Sequence, residues 1–208
     1  PLPIHLPIGS EDQFKGHIDL IDMNAVIFDD ESMGAEFKVI DIPENMLEEA
    51  TAARAYLIET VAEQDEKLLE KYLNGEELTR DEIIAGVRKG CLAMAAIPVL
   101  CGAAFKNKGV QALLDCVIHF LPSPLDIPPL SALDPHDKTK EVIRKADDDE
   151  PFSALVFKII ADPHGTLSFI RVYSGTLEAG TMVLNTRTDK RDRVGRLVKM
   201  HANKREEI

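Results

Sequence analysis

The apolar residues of this chain change period once, and that change limits its fold more than any other feature. Between Pro43 and Leu121 they recur mostly every three or four residues, the spacing of amphipathic helices. From Phe152 onward they alternate with polar residues, the spacing of half-buried strands. The change falls across Pro122, Pro124, Pro128 and Pro129 and the acidic run Asp147-Asp148-Asp149-Glu150, a stretch with no period of its own. Two units are therefore expected in these 208 residues, an α/β unit followed by an all-β one.

The helices carry their own punctuation. Leu47, Ala50, Leu57, Ile58 and Val61 share one stripe, with Glu48, Glu59 and Glu63 largely off it. A shorter helix bearing Leu68, Leu69, Tyr72 and Leu73 should stop at Asn74-Gly75. Thr79-Arg80-Asp81-Glu82 reads as a capping box opening a third helix with Ile83, Ile84, Val87 and Cys91. Ile97-Pro98-Val99-Leu100-Cys101 reads as a fully buried strand of a parallel sheet that lacks partners in its neighbourhood. After the Lys106–Gly109 turn, a last helix carries Val110, Leu113, Leu114, Val117, Phe120 and Leu121. Short strands are expected over Ile4–Phe28 and Glu36–Ile42. The closing segment reads as four strands, Phe152–Ile160, Leu167–Tyr173, Thr181–Leu184 and Val194–Met200, with turns at Gly165, Gly175 and Gly180. Closely spaced strands with glycine turns suggest a small antiparallel β-barrel.

Charge divides the chain in the same place. Residues 1–150 carry 14 Lys and Arg against 30 Asp and Glu, whereas residues 151–208 carry 10 against 6. An acidic half repels nucleic acid, while a mildly basic one can approach phosphate at short range. The three cysteines, Cys91, Cys101 and Cys116, are odd in number and have no CxxC spacing, so they read as small hydrophobes of a reducing compartment. The longest apolar run, Cys91–Phe105, is too short for a bilayer and is interrupted by Pro98 and Gly102. With no leader-like opening, a cytoplasmic location without membrane contact is expected. A chain starting at Pro1 rather than Met suggests a processed or cut piece.

Catalytic constellations are not legible. No Gly-Lys pair occurs, so the phosphate-cradling loop of a nucleotide triphosphatase is missing. Asp162-Pro163-His164-Gly165 satisfies D-x-x-G but leads straight into a strand and reads as a turn. Asn107-Lys108 begins like N-K-x-D, yet Val110 stands where the guanine-reading carboxylate would be. The six histidines, His5, His17, His119, His136, His164 and His201, are scattered, and neither a catalytic residue nor a metal site is expected. Gly102-Ala103-Ala104-Phe105 differs from these. It follows an apolar strand and precedes an amphipathic helix, the place where open α/β sheets bind ligands. Small residues at a tight strand exit commonly serve packing alone; here they would also let a backbone N–H approach a planar base and donate to a carbonyl such as guanine O6.

Several segments together resemble bacterial elongation factor G. They are Leu6-Pro7-Ile8-Gly9, Phe14-Lys15-Gly16, Cys101 through Gln111, Leu121 through Pro124, Phe169 through Leu177 with Gly180, and Met200 through Ile208. The family is a multidomain translational GTPase that moves messenger and transfer RNA through the ribosome. The resemblance implies that residues 1–97 are its G′ insertion, an α+β subdomain. Residues 98–122 would be the last strand and helix of the GTPase domain, 123–150 a linker and 151–208 part of the β-barrel domain II.

It also implies that Gly102, Ala103, Ala104 and Phe105 form the guanine base loop, with the Ala104 N–H facing O6. Two positions depart from the family: Ala103 stands where Ser is usual, and the turn from Asp162 to Leu167 is one residue short. GTP or GDP with Mg would belong to the parent protein, and the fragment alone would bind and hydrolyse neither nucleotide. The implied partner is the ribosome, through ribosomal RNA at domain II and through the stalk protein at the G′ region. Glu48, Glu59 and Glu63 are candidates for the stalk contact. The alternatives are a paralogue for ribosome recycling or protection, and a free-standing acidic adaptor.

Overall fold

Alternation at the start of the chain becomes an antiparallel sheet with one extra parallel pair beside it. The computed structural model describes residues 1–32, 34–162, 165–202 and 204–208. In it, β1 (Leu2–Pro3) is followed by β2 (His5–Ile8), β3 (Gly16–Asp19), β4 (Asn24–Phe28) and β5 (Phe37–Ile40). The last four form one antiparallel sheet in that order, with Ile18 opposite both Leu6 and Ala25. Ile18, Leu20 and Ala25 are buried, so the sheet has an inner face. His5 and His17 are buried as well, their rings stacked at 3.9 Å and 13°, with Phe28 tilted against His17. Neither Nδ1 has a hydrogen-bond partner among the described residues. Burial and the neighbouring imidazole push His5 down to about 3, and burial also lowers His17 against the opposing pull of Asp19.

Three helices cover this core: α1 (Glu44–Ala62), α2 (Glu66–Leu73) and α3 (Arg80–Leu92). From α1, Ala50, Leu57 and Val61 are buried and Met46 packs against the core, whereas Leu47 lies half exposed at the side of that stripe. Leu57 and Val61, with Ile83 and Val87 from α3, are wholly buried, and each contributes about 1.5–3 kcal/mol. The close approach of α1 and α3 requires Gly86, since a Cβ there would lie 2.4 Å from Val61 Cγ1. Every helix start and stop read from sequence is present. Asp65 caps α2 by accepting from Lys67 N–H, α2 ends at Asn74-Gly75, and Thr79 and Glu82 close the capping box of α3. The Arg54 guanidinium donates to the carbonyls of Leu20 and Ile21, which ties α1 to the end of β3.

After α3 comes β6, and here the structure departs from expectation. The run Ile97–Cys101 supplies only a two-residue strand, β6 (Pro98–Val99), with Ile97 and Val99 exposed rather than buried. It is also not without a partner, because β1 runs parallel to it, pairing Leu2 with Pro98 and Pro3 with Val99. Pro98 has no N–H to donate, which shortens the ladder. The chain then reaches α4 (Val110–Phe120). Phe120 enters the core, but Leu113, Leu114, Val117 and Ile118 remain exposed, so most of its apolar stripe is uncovered. Arg88 donates to the carbonyls of His119 and Leu121, satisfying acceptors that the end of α4 leaves free.

The described residues separate into two units at Pro122 and Ser123. The stretch expected as a linker contains a hairpin of its own, β7 (Leu130–Leu133) with β8 (Glu141–Arg144). Six further strands follow where four were expected: β9 (Ser153–Asp162), β10 (Gly165–Ser174), β11 (Met182–Asn185), β12 (Lys190–Arg193), β13 (Val198–His201) and β14 (Lys204–Glu207). They pair as three antiparallel hairpins, β9 with β10, β11 with β12 and β13 with β14. The strand expected over Val194–Met200 is shortened at its start, since 194–197 belong to no strand and β13 begins only at Val198. The sequences of β12 (KRDR) and β14 (KREE) have no apolar residue, so their alternation is silent. They are held by the ladder and, in β12, by the turn in which Asn185 accepts from Arg187 and Thr188 N–H. Ser174 is the buried anchor of β10, sharing a hydrogen bond with Ser153 and donating to Pro151 O. Among the described residues, no helix is long and apolar enough to cross a membrane.

Candidate functional site

The loop after β6 is built from close backbone contacts that only small residues permit. Gly102 lies so near the Lys108 carbonyl that a Cβ would sit 2.8 Å from its oxygen. Ala103 and Lys108 exchange two backbone hydrogen bonds, of 2.9 and 3.1 Å, which close the loop into a tight reversal. Ala104–Lys106 form a single 3-10 turn, with Lys106 N–H donating to Ala103 O and Asn107 N–H to Ala104 O. Asn107 and Gly109 have φ values of 54° and 82°, the left-handed turns that launch α4. The Ala104 N–H donates to no backbone carbonyl among the described residues, and Ala104 is exposed. An unspent amide is thus presented at the carboxyl end of a parallel strand, where it can donate to a carbonyl of a planar base. Phe105 stands fully exposed beside it. The structure therefore brings Gly102, Ala103, Ala104 and Phe105 into one loop.

What holds this loop in place was not visible in the sequence. Lys108 lies in a turn, where lysine is normally solvated, yet its side chain is only 3% exposed. Its ammonium donates to Phe14 O at 3.0 Å and pairs with the exposed Asp30 carboxylate at 2.6 Å. That hydrogen bond and charge hold the Asp30 carboxyl below its usual range. A second contact comes from the same connection between β4 and β5. Gly34 packs against the 106–107 backbone so closely that a Cβ would lie 2.7 Å from Lys106 O. Gln111, in the first turn of α4, donates to Gly34 O at 3.2 Å. The loop after β6 is therefore fastened to two connections of the antiparallel sheet.

The three glutamates form a separate group. Glu48, Glu59 and Glu63 are all exposed. At about 100° per residue, Glu59 returns to within about 20° of Glu48 around the helix, and Glu63 to within about 60°. They make an acidic strip along the side of α1 opposite the buried Leu57 and Val61. Glu63 lies at the helix end, beside Asp65, whose carboxylate pairs with Lys89 at 2.8 Å. Burial pushes the Cys101 and Cys116 thiols up to about 11, so little thiolate forms near neutral pH.

Residues 151–208, the segment of β9 to β14, match the family model of elongation factor G domain 2. The chain resembles elongation factor G, of the translational GTPase family. A crystal structure of a Thermus thermophilus protein is similar over the entire chain, with a TM-score of 0.74 and 25% sequence identity. The chain spans 28% of the length of that protein. Of the two departures from elongation factor G, the Ala103 position adopts a well-defined loop without a hydroxyl. The shortened turn contains Pro163 and His164, and one resembling segment contains Asn203; these three lie outside the described residues, as does the interior of the D-x-x-G match.

Proposed function

We propose that this chain is an internal segment of a ribosome-dependent translational GTPase of the elongation factor G kind, which promotes translocation of tRNA and mRNA. The observation that carries the reading is the presented Ala104 N–H, held on a closed loop at a strand exit. It stands in a chain whose last 58 residues match elongation factor G domain 2. The loop fits a guanine base: Gly102 has no side chain to block approach, and the free N–H is complementary to O6. GTP or GDP with Mg would bind in the parent protein, where this loop reads the base and other parts handle phosphate. Residues 1–97 are the G′ insertion in this reading, and residues 98–122 close the GTPase domain.

The chain alone supplies one base contact, and a single hydrogen bond contributes about 1 kcal/mol. That is less than the freedom lost on association, so the isolated chain should neither bind nor hydrolyse GTP. The ribosome is the partner, through RNA near residues 151–208 and through its stalk protein along α1. Calorimetric titration of the 208-residue chain with GDP tests the first statement; micromolar binding would refute it.

A further inference from the structure

The contacts of Lys108 extend the guanine-loop reading to a residue that never touches the base. Three observations converge on it. Its ammonium is buried and bound to two groups outside its own loop, Phe14 O and the Asp30 carboxylate. Its backbone is hydrogen-bonded at both N–H and C=O to Ala103, the residue immediately before the presented amide. The connection that carries Asp30 also carries Gly34, which packs against Lys106 and Asn107 and accepts from Gln111. The chain of fixed groups from the sheet to the Ala104 N–H is thus one side chain and two backbone bonds long.

We propose that Lys108 is a positioning residue for guanine recognition, a latch that holds Ala103 and thereby aims the Ala104 N–H at the base carbonyl. The inference rests on the reading of the Gly102–Phe105 loop given above. A lysine serves here because its long stem crosses buried surface while its ammonium binds a carbonyl and a carboxylate together. An apolar residue of the same length fills the space but leaves Phe14 O and Asp30 without the cation. The loop then keeps its fold and loses its fixed direction.

The test is GDP release from the full-length protein, followed by stopped-flow fluorescence, for the unaltered protein and for Lys108→Met, Lys108→Arg, Asp30→Asn and Ala104→Pro. A second probe, the diphosphate of 2-aminopurine riboside, lacks O6. Ala104→Pro removes the amide hydrogen at the first position of a helical turn, where proline fits, and so tests the loop reading itself. The latch predicts that Lys108→Met speeds GDP release about five- to tenfold, the worth of one aimed hydrogen bond. Release of the O6-lacking probe should hardly change, and Lys108→Arg should recover part of the loss. Asp30→Asn, at an exposed position that leaves packing intact, should speed GDP release about two- to threefold, and it carries the test if Lys108→Met does not fold. Faster release with Ala104→Pro but not with Lys108→Met or Asp30→Asn would overturn the latch and leave the loop reading standing. Equal acceleration of both probes by Lys108→Met would overturn it too, as general loosening. No effect of Ala104→Pro on GDP would remove the loop reading, and the latch with it.

Discussion

Acid should loosen the first unit at a pH where its carboxylates are still ionised. The perturbation is protonation of the stacked His5 and His17. Both are buried and both are held below the usual imidazole value, His5 down to about 3. A base whose folded value is lowered takes up protons in the unfolded chain first. Its contribution to stability is therefore complete above about pH 6.5 and is lost as pH falls from there toward the folded value. At pH 5 the unfolded His5 is protonated and the folded one is not, which costs about 2 kcal/mol, and His17 adds in the same direction. Asp30, Asp65 and Glu82 are lowered by their lysine partners, Glu82 to about 2. Their stabilising effect is lost only below the ordinary carboxylate range, so the interval from pH 6.5 to 5 isolates the histidines. Thermal unfolding at closely spaced pH values should show a fall of roughly 5–10 °C across that interval. His5→Phe preserves a ring stacked on His17 and should remove at least half of the slope. A melting temperature flat from pH 7 to 5, or a slope unchanged by His5→Phe, would refute the account.

Gly109→Ala should lower the melting temperature by several degrees, since the residue has a left-handed φ of 82° and the added Cβ would lie 3.0 Å from Cys101 O; the cost is about 1–3 kcal/mol by denaturant titration. Thr79→Ala removes half of the capping box of α3 and should cost about 1 kcal/mol in the same titration. Glu48→Lys combined with Glu59→Lys should slow association with the ribosomal stalk domain and flatten its salt dependence, since residues 1–97 carry 8 Lys and Arg against 21 Asp and Glu. Stopped-flow rates at several ionic strengths measure this, and unchanged rates would leave those glutamates as solubilising charge. The isolated chain should self-associate in light scattering through the exposed Leu113, Leu114, Val117 and Ile118 of α4 and the exposed Leu155, Phe157 and Ile159 of β9.

Local signals were the legible part of this molecule. Thr79 with Glu82, and Asn74 with Gly75, mark helix ends through hydrogen bonds a few residues long, and the helices begin and end there. The position of the Gly102–Phe105 loop between β6 and α4 was legible because a loop between a strand and a helix is defined by its flanks. Three kinds of feature escaped. The pairing of β1 with β6 joins residues 96 apart in the chain, and no local pattern encodes it. Strands β12 and β14 have no apolar residue, so the pattern that reveals their partners is blank in them. Lys108 has the composition of a surface residue and the burial of a core one. Its role is set by Phe14 and Asp30, more than 75 residues upstream. The exposed stripe of α4 shows the reverse case, where a periodic apolar face indicates a helix without telling how much of the face is covered.

Ribosome-stimulated GTP hydrolysis by the full-length protein tests the central reading most directly. The account predicts slow turnover without ribosomes, strong stimulation by them, and a reduced kcat/KM for GTP when Ala104 is replaced by Pro. Turnover that ribosomes do not stimulate, or that Ala104→Pro leaves unchanged, would contradict it.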